Sequence, residues 1–459
     1  MSVHSARLPI RASLPFALLL SFLVVLWFAG GASRGDVSGQ IVVRACAWLT
    51  LGVSVLFVTP PREPRLRPVA LLVGATTIVA LLQLVPLPPS IWQALPGRTI
   101  FAEAAAASGQ VQPWRPWAIV PWAAANAASS LIVPVVVLFL TASLTANERA
   151  LLPGVVLCLV CASMLVGLLK LIGAGFDNPF VNDSVGQVAG NFANRNHFAL
   201  FLALGLILAP VWAYRGGRLP GWRGPMAAAM GLLLVLTILA SGSRAGLLVG
   251  VIGLCLGLVI VQRGIRQSLS GQPRRVVLLL VGSLVVIGIV LAIATVSSDR
   301  AVSITRLVGA DMGDDMRSRG LPVVMTMIRE YFPAGAGLGG FDPLFRQHEP
   351  FHLLKLTYFN HAHDDWLEVV LDTGLIGVLL QGIALLWWGR RSLEAWRRGG
   401  ALRYAVPKLG SATLLLVFIA SLLDYPARTP LMMAIIVLAA CWLTEGYDQH
   451  RSPALPDAD

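Results

Sequence analysis

Charge is what this chain of 459 residues has least of: Asp, Glu, Lys and Arg make up only 13%, against 56% hydrophobic residues and a mean hydropathy of +0.75. So little charge excludes a soluble globular domain, which carries about a quarter of its residues charged. The length then means many membrane spans rather than one water-soluble core. Cysteine is scarce as well. The five (Cys46, Cys158, Cys161, Cys255, Cys441) lie inside apolar runs and none falls in the connections read below as outward-facing, so no disulfide framework is implied. Cys158-Leu-Val-Cys161 has CxxC spacing, which inside a span reads as packing. Acidic residues number 23 against 35 basic ones, a net charge of +12. In so apolar a chain that excess reads as cytoplasmic-loop arginine beside anionic lipid, not as a nucleic-acid surface. The sequence also lacks a Walker A motif, a fixed-period repeat and a long low-complexity segment.

What is there is apolar runs. A span needs ~20 apolar residues, and that window finds about twelve. They fall near 13–31, 41–59, 68–87, 126–144, 150–173, 197–214, 225–241, 245–262, 275–297, 366–389, 408–424 and 430–446. Arg7 and Arg11 ahead of the first run resemble a signal peptide, with small residues near 29–33. The run reads as an uncleaved span, because its removal would upset the topology that the loops give. Arginine collects after the second span (Arg62, Arg65, Arg67), the sixth (Arg215, Arg218, Arg223), the eighth (Arg263, Arg266, Arg274, Arg275) and the tenth (Arg390, Arg391, Arg397, Arg398, Arg403). All are even-numbered connections, so the positive-inside rule puts them and both termini in the cytoplasm. The expected fold is an all-α polytopic membrane protein with one large periplasmic loop between spans nine and ten. Spans one to nine occupy 1–297, the loop domain 298–365, spans ten to twelve 366–446 and a cytoplasmic tail 447–459.

The odd connections then face outward. The segment near 88–125 carries Trp92, Trp114, Trp117 and Trp122 among prolines and alanines, a composition suited to helices lying in the outer interface. The loop domain has apolar residues at helical spacing (Leu321, Val324, Ile328, Phe332), which predicts an amphipathic helix over 319–332. Lys170 and Glu368 are placed to pair across helices or to reach the interface.

Ionisable residues crowd one point at the outer boundary, Asn360-His361-Ala362-His363-Asp364-Asp365-Trp366, directly before an apolar run. Other outward span ends hold Arg195, His197, Arg244, Arg317, Arg319, Asp424 and Arg428. Outer-leaflet arginine runs against the positive-inside trend. Two separated guanidiniums at a membrane edge make a diphosphate clamp, permanently charged and bidentate. Each also has a bland use: Arg244 can snorkel to headgroups, and Arg195 can bond the carbonyls of its own loop. His363 beside Asp364 and Asp365 suits proton transfer, because imidazole titrates near neutrality and a carboxylate can fix its tautomer. Gly242-Ser-Arg-Ala-Gly246 has Arg where a nucleophile elbow needs Ser. Gly335-Ala-Gly-Leu-Gly-Gly340 has no βαβ unit around it to make a dinucleotide site. His348, His352, His361 and His363 match no zinc spacing, so neither a metal nor a cofactor is expected.

These residues resemble the O-antigen ligase and polymerase superfamily, bacterial polytopic enzymes handling polyprenyl-diphosphate-linked glycans. The matches are Asn191-Phe-Ala-Asn-Arg195-Asn-His197-Phe-Ala199, Ser241-Gly-Ser-Arg244-Ala-Gly246, and Ala362-His363-Asp-Asp-Trp-Leu367 with Gly374-Leu-Ile-Gly377. Arg317, Pro333 to Phe341 and Ser421-Leu-Leu-Asp424-Tyr-Pro426 add weaker support, and the resemblance covers roughly 125–445. It implies a lipid-dependent glycosyltransferase of the inner (cytoplasmic) membrane, with a periplasmic active site. Arg195, Arg244 and Arg317 would hold the donor diphosphate, His363 with Asp364 would activate the acceptor hydroxyl, and Asn194, His361, Asp365 and Asp424 would support them. No metal is required in the family. Where it usually has Asn or Ser after the motif histidine, this chain has Asp364.

The donor would be an undecaprenyl-diphosphate-linked glycan, and the acceptor either lipid A–core oligosaccharide (ligation) or another lipid-linked repeat (polymerisation). Ligation is the preferred expectation. A lipid-glycan transporter is the competing class; it would place charge near the bilayer midplane and show related halves, neither of which is seen in this sequence.

Overall fold

The computed structural model describes residues 12–445, except 60–62, 175–176, 183–186, 216–219, 355–358, 398–403 and most of 271–315. The described chain is mostly helical. Its helices are α1 (Leu14–Ala29), α2 (Ser38–Phe57), α3 (Arg67–Leu82), α4 (Pro89–Ala94), α5 (Thr99–Ala107), α6 (Pro121–Ser130), α7 (Ile132–Ser143), α8 (Ala146–Arg149) and α9 (Leu152–Leu171). They continue as α10 (Arg195–Ala213), α11 (Arg223–Ala240), α12 (Arg244–Ser270), α13 (Met316–Tyr331), α14 (Phe341–His348), α15 (Asp365–Arg397), α16 (Ala405–Ser421) and α17 (Pro430–Thr444).

Among the described residues, eight helical stretches are long and apolar enough to cross a membrane: α2, Pro64–Leu82, Pro121–Ser143, Ala146–Leu171, α10, α11, α12 and α15. Helices α1, α16 and α17 are apolar but shorter. Each falls on an expected window. All of the ninth window, 275–297, except Arg275 and Gly282 lies outside the described residues, as do most of the loop before 316 and the tail 447–459. Two helices outrun their apolar windows, α12 through Arg263 and Arg266 and α15 through Arg390 and Arg391. Backbone hydrogen bonding does not stop where the apolar run stops, and Arg, Leu and Gln keep a helix going.

Helix α10 is the hub. Every residue from His197 to Ala209 is buried, as expected of a helix apolar on all sides. It packs against α9, α11, α12 and α16. A methyl group at Gly253 of α12 would lie 2.9 Å from the Ala203 carbonyl oxygen, and one at Gly257 would lie 2.6 Å from that of Leu206. These small residues let α12 meet α10 backbone to backbone. By contrast α2 and α3 leave Ile41, Leu56 and Leu71 about three-quarters exposed, the face a lipid tail would cover.

A second, smaller core joins Val324, Met327 and Tyr331 of α13 to Phe341 and Phe345 of α14, with Phe359 and Leu371. The amphipathic helix is there, but its buried face differs from the expected one. Leu321 is 45% exposed and Phe332 is 41% exposed; Phe332 lies past the last helical residue, where helical spacing no longer applies.

The segment near 88–125 holds α4 and α5, closed by a two-residue antiparallel pairing of Pro86–Leu87 with Arg115–Pro116. It is the one strand pairing among the described residues, which are otherwise helices and connections as the all-α expectation has it. Of the four tryptophans only Trp114 and Trp122 are exposed. Trp92 donates to the Pro116 carbonyl (2.9 Å) and Trp117 to that of Ala334 (3.2 Å), so these two hold the segment in place. Arg98, fully buried, donates to the carbonyls of Pro96, Trp117 and Gly335, and burial pushes its guanidinium down to about 10. Gln83 donates to the Asp372 carbonyl (3.0 Å) and accepts from the Leu338 N–H (2.9 Å). The segment is thereby stitched to the glycine-rich loop after α13 and to α15.

Candidate active site

The N-termini of α10, α12 and α15 meet the C-terminus of α16 at one end of the bundle. Asn194 caps α10 by accepting from the Asn196 N–H (2.8 Å). Ser243 caps α12 by accepting from the Gly246 N–H (2.8 Å), and its hydroxyl donates to Asn196 Oδ1 (2.7 Å). Polar caps therefore tie the two helix starts together. Arg195 and Arg244, the first residues of those helices, stand beside the tied pair and are both half-buried. Their charges sit where two helix dipoles already favour an anion.

Asp424 is the knot of the site. It is 2% exposed and stands three residues past the last residue of α16. One oxygen accepts from the side-chain amides of Asn194 (3.0 Å) and Asn196; the other accepts from His363 Nδ1 (3.0 Å) and from the Tyr425 N–H (3.0 Å). A buried carboxylate opposite Nδ1 keeps a proton on that nitrogen and leaves Nε2 of His363 as the acceptor. His363 is the one non-glycine among the described residues with a left-handed backbone (φ 53°). Such a conformation is strained and persists only when its surroundings hold it.

Tyr425 packs among three imidazoles, tilted against His361 (ring centroids 4.2 Å apart) and edge-on to His363 (4.9 Å) and His197 (5.0 Å). Burial raises its hydroxyl above the ordinary tyrosine value, and neighbouring Asp424 adds to that, so the ring is a neutral wall.

Behind the histidines lies a buried ionic cluster. Arg428 contacts Asp365 (3.3 Å), Glu368 (3.2 Å) and Asp372 (3.2 Å). Burial works against its charge, but the carboxylates of Glu368, Asp372 and Asp365 outweigh that and raise the guanidinium above its usual value. Glu368, fully buried, also accepts from His361 Nδ1 (2.8 Å) and the Ala362 N–H (2.8 Å).

Of the residues expected at the site, His363, Asp424, Asn194 and His361 come together, with Arg195 and Arg244 at the adjoining helix starts. The carboxylate on His363 is Asp424, 61 residues on, and not the adjacent Asp364. Asp364 instead caps α15 by accepting from the Leu367 N–H (3.0 Å). Burial raises its carboxyl above the usual range, partly offset by that bond. Asp365 faces Arg428, the Ser421 hydroxyl and the Ala427 N–H. Glu368 finds its partners on the 360–364 turn and at Arg428, not across helices. The side chain of Arg317 lies outside the described residues, while Arg319 is exposed. Among the described residues no group of three or more His, Cys, Asp and Glu is arranged to hold a metal.

Sequence reasoning missed Asn196, Tyr425 and the roles of Glu368, Asp372 and Arg428. One signal was available. Asp365, Glu368 and Asp372 are spaced by three and four, which puts three carboxylates on one face of an apolar helix. That face needs a cation, and Arg428 was already at the right end.

Residues 228–382 match the family model described as O-antigen ligase. Over that stretch the resemblance to the O-antigen ligase and polymerase superfamily is shown. The stretch takes in Arg244 and the His363 turn; the segments around Arg195 and Asp424 lie outside it. The chain is also 28% identical over 215 residues to the exopolysaccharide production protein ExoQ of Rhizobium meliloti (strain 1021), a match covering 44% of this chain and 46% of that protein. The chain thus spans less than half the length of this relative. With these apolar helices, the similarity supports a multi-pass membrane protein of polysaccharide biosynthesis.

Proposed function

We propose that this protein transfers a glycan from a polyprenyl-diphosphate carrier, undecaprenyl diphosphate in an inner membrane, to an acceptor hydroxyl. The His363–Asp424 hydrogen bond carries the reading. It ties an oriented imidazole to the same asparagine pair that joins the starts of the two arginine-bearing helices. Nε2 of His363 takes the proton of the acceptor hydroxyl, the oxygen attacks the anomeric carbon, and the bond to the diphosphate breaks. The electron pair leaves with the diphosphate oxygen, and Arg195 and Arg244 stabilise the added charge. Arg317, in the first turn of α13, is a third candidate for that contact. A positioned base is worth ~10²–10⁴-fold, and the preorganised guanidiniums act where charge develops.

The topology that goes with this reading has about twelve spans, both termini in the cytoplasm and the site on the periplasmic side, with the loop domain 298–365 above it. The preferred acceptor is lipid A–core, which makes the reaction ligation; the family description supports it. A second reading, polymerisation of lipid-linked repeats, is favoured by the name of the exopolysaccharide relative.

The test is a glycan profile of a deletion strain complemented with wild type, Arg244→Ala or His363→Ala, with membrane levels matched. The ligase reading predicts polymer on lipid A–core with wild type, and polymer left on the carrier with either variant. Single repeats on the carrier identify a polymerase. Wild-type profiles from both variants overturn the site.

A further inference from the structure

The buried cluster behind the histidines has no part in the chemistry proposed above, yet it is built with care. Three buried carboxylates gather around one largely buried guanidinium, an arrangement that costs desolvation for every member. The contacts of Glu368 and Arg428 run to the 360–364 turn and between that turn's helix and the 424–428 loop. Glu368 spends one oxygen on the His361 ring and the other on the Ala362 N–H, both at 2.8 Å. The next residue is His363, with its left-handed backbone. Arg428 holds Glu368 from behind at 3.2 Å and belongs to the same loop as Asp424, the acceptor for His363. The loop that orients the imidazole and the turn that carries it are thus joined through one ion pair.

We propose that Glu368, pinned by Arg428, is a positioning residue for His363: its two-pronged hold on His361 and Ala362 sets the turn that presents Nε2 to the acceptor. This rests on the reading of His363 as the base. Glu368 touches no substrate and acts through the turn. What matters is therefore its reach from α15 more than its charge.

Two near-isosteric variants separate reach from charge. Glu368→Asp keeps the charge beside Arg428 but shortens the side chain by a methylene, so it cannot span to both partners. Glu368→Gln keeps the length and can keep both contacts, its carbonyl accepting from the Ala362 N–H and its NH2 donating to His361 Nδ1 in the other tautomer, but it loses the charge. The full-length protein in membranes is assayed with lipid-linked glycan extracted from the deletion strain, and kcat and the KM for that donor are measured across pH. Membrane abundance and thermal midpoint are followed for each variant. The expected result is a fall in kcat of tenfold or more for Glu368→Asp, donor KM within threefold of wild type, and Glu368→Gln retaining more activity than Glu368→Asp. The opposite order, with Glu368→Asp the more active, overturns the proposal and makes the cluster a charge balance only. A rise in donor KM at unchanged kcat also overturns it. His361→Ala removes one prong at the edge of the cluster and is expected to lower kcat about fivefold; if the glutamate variants fail to accumulate, an unchanged kcat here overturns the proposal. His363→Ala runs alongside: if it keeps activity, the reading of the base fails, whereas an inactive His363→Ala with both glutamate variants at wild-type kcat sinks only the positioning role.

Discussion

At the scale of residues, the site depends on one carboxylate with several tasks. Asp424 fixes the His363 tautomer while its other oxygen gathers Asn194 and Asn196. Asp424→Asn keeps the shape but can present an N–H to Nδ1, so transfer should fall on the order of 10²-fold or more at matched membrane levels. Asp364 makes a different prediction. Its folded carboxyl titrates above the unfolded value, so its contribution favours the fold below the carboxylate range and is lost as pH rises through the folded value. Asp364→Asn keeps an oxygen for the Leu367 N–H and removes that loss. Its thermal midpoint should exceed wild type near about pH 7.5, with the gap closing toward about pH 4; an equal gap at both values contradicts the assignment. His363 and the two arginines stood out as candidates in the sequence because charge at a membrane edge is costly and therefore conspicuous. That Asp424 and not Asp364 serves His363 was not, because the left-handed turn at His363 reverses the direction that neighbours in sequence suggest.

At the scale of elements, one glycine sets the geometry of α15. Gly374 breaks α15 with φ 58°, and a methyl group there would lie 1.9 Å from the Pro333 carbonyl oxygen. That carbonyl accepts from the Leu375 N–H (2.9 Å), while the Ala336 N–H donates to Leu371 (2.8 Å), so the kink docks the glycine-rich loop. Gly374→Ala should cost about 1–3 kcal/mol or more in thermal unfolding of the detergent-solubilised protein. A midpoint equal to wild type would mean that the loop moves aside freely. The Gly374-Leu-Ile-Gly377 match was visible in sequence; its reason, a backbone kink under a loop contact, was not. Helix existence was equally legible from apolar runs. Helix ends were not, since α12 and α15 continue into arginine-bearing turns that hydropathy assigns to loops.

At the scale of the whole molecule, alternating arginine loops and a converging polar end point the same way. The site gathers at the starts of α10 and α12 and the end of α16, while Arg215, Arg223 and Arg390 lie at the opposite helix ends. In a cysteine-free background, Trp114→Cys should react with a membrane-impermeant maleimide in spheroplasts, and Arg390→Cys only after permeabilisation. The reverse pattern would invert the topology. The convergence of four distant segments at the site is a tertiary fact: Asn194 and His363 meet Asp424 directly and Ser243 meets it through Asn196, and no spacing rule links them before the bundle is assembled.

The central claim is that Asp424 acts through His363, and a double-mutant cycle tests it most directly. Transfer rates of extracted lipid-linked glycan are compared for wild type, His363→Ala, Asp424→Ala and the double variant, at matched folded levels. If Asp424 acts chiefly through the imidazole, the loss in the double variant falls well short of the product of the two single losses. If the two losses multiply, Asp424 works independently of the imidazole and the account of the site is wrong.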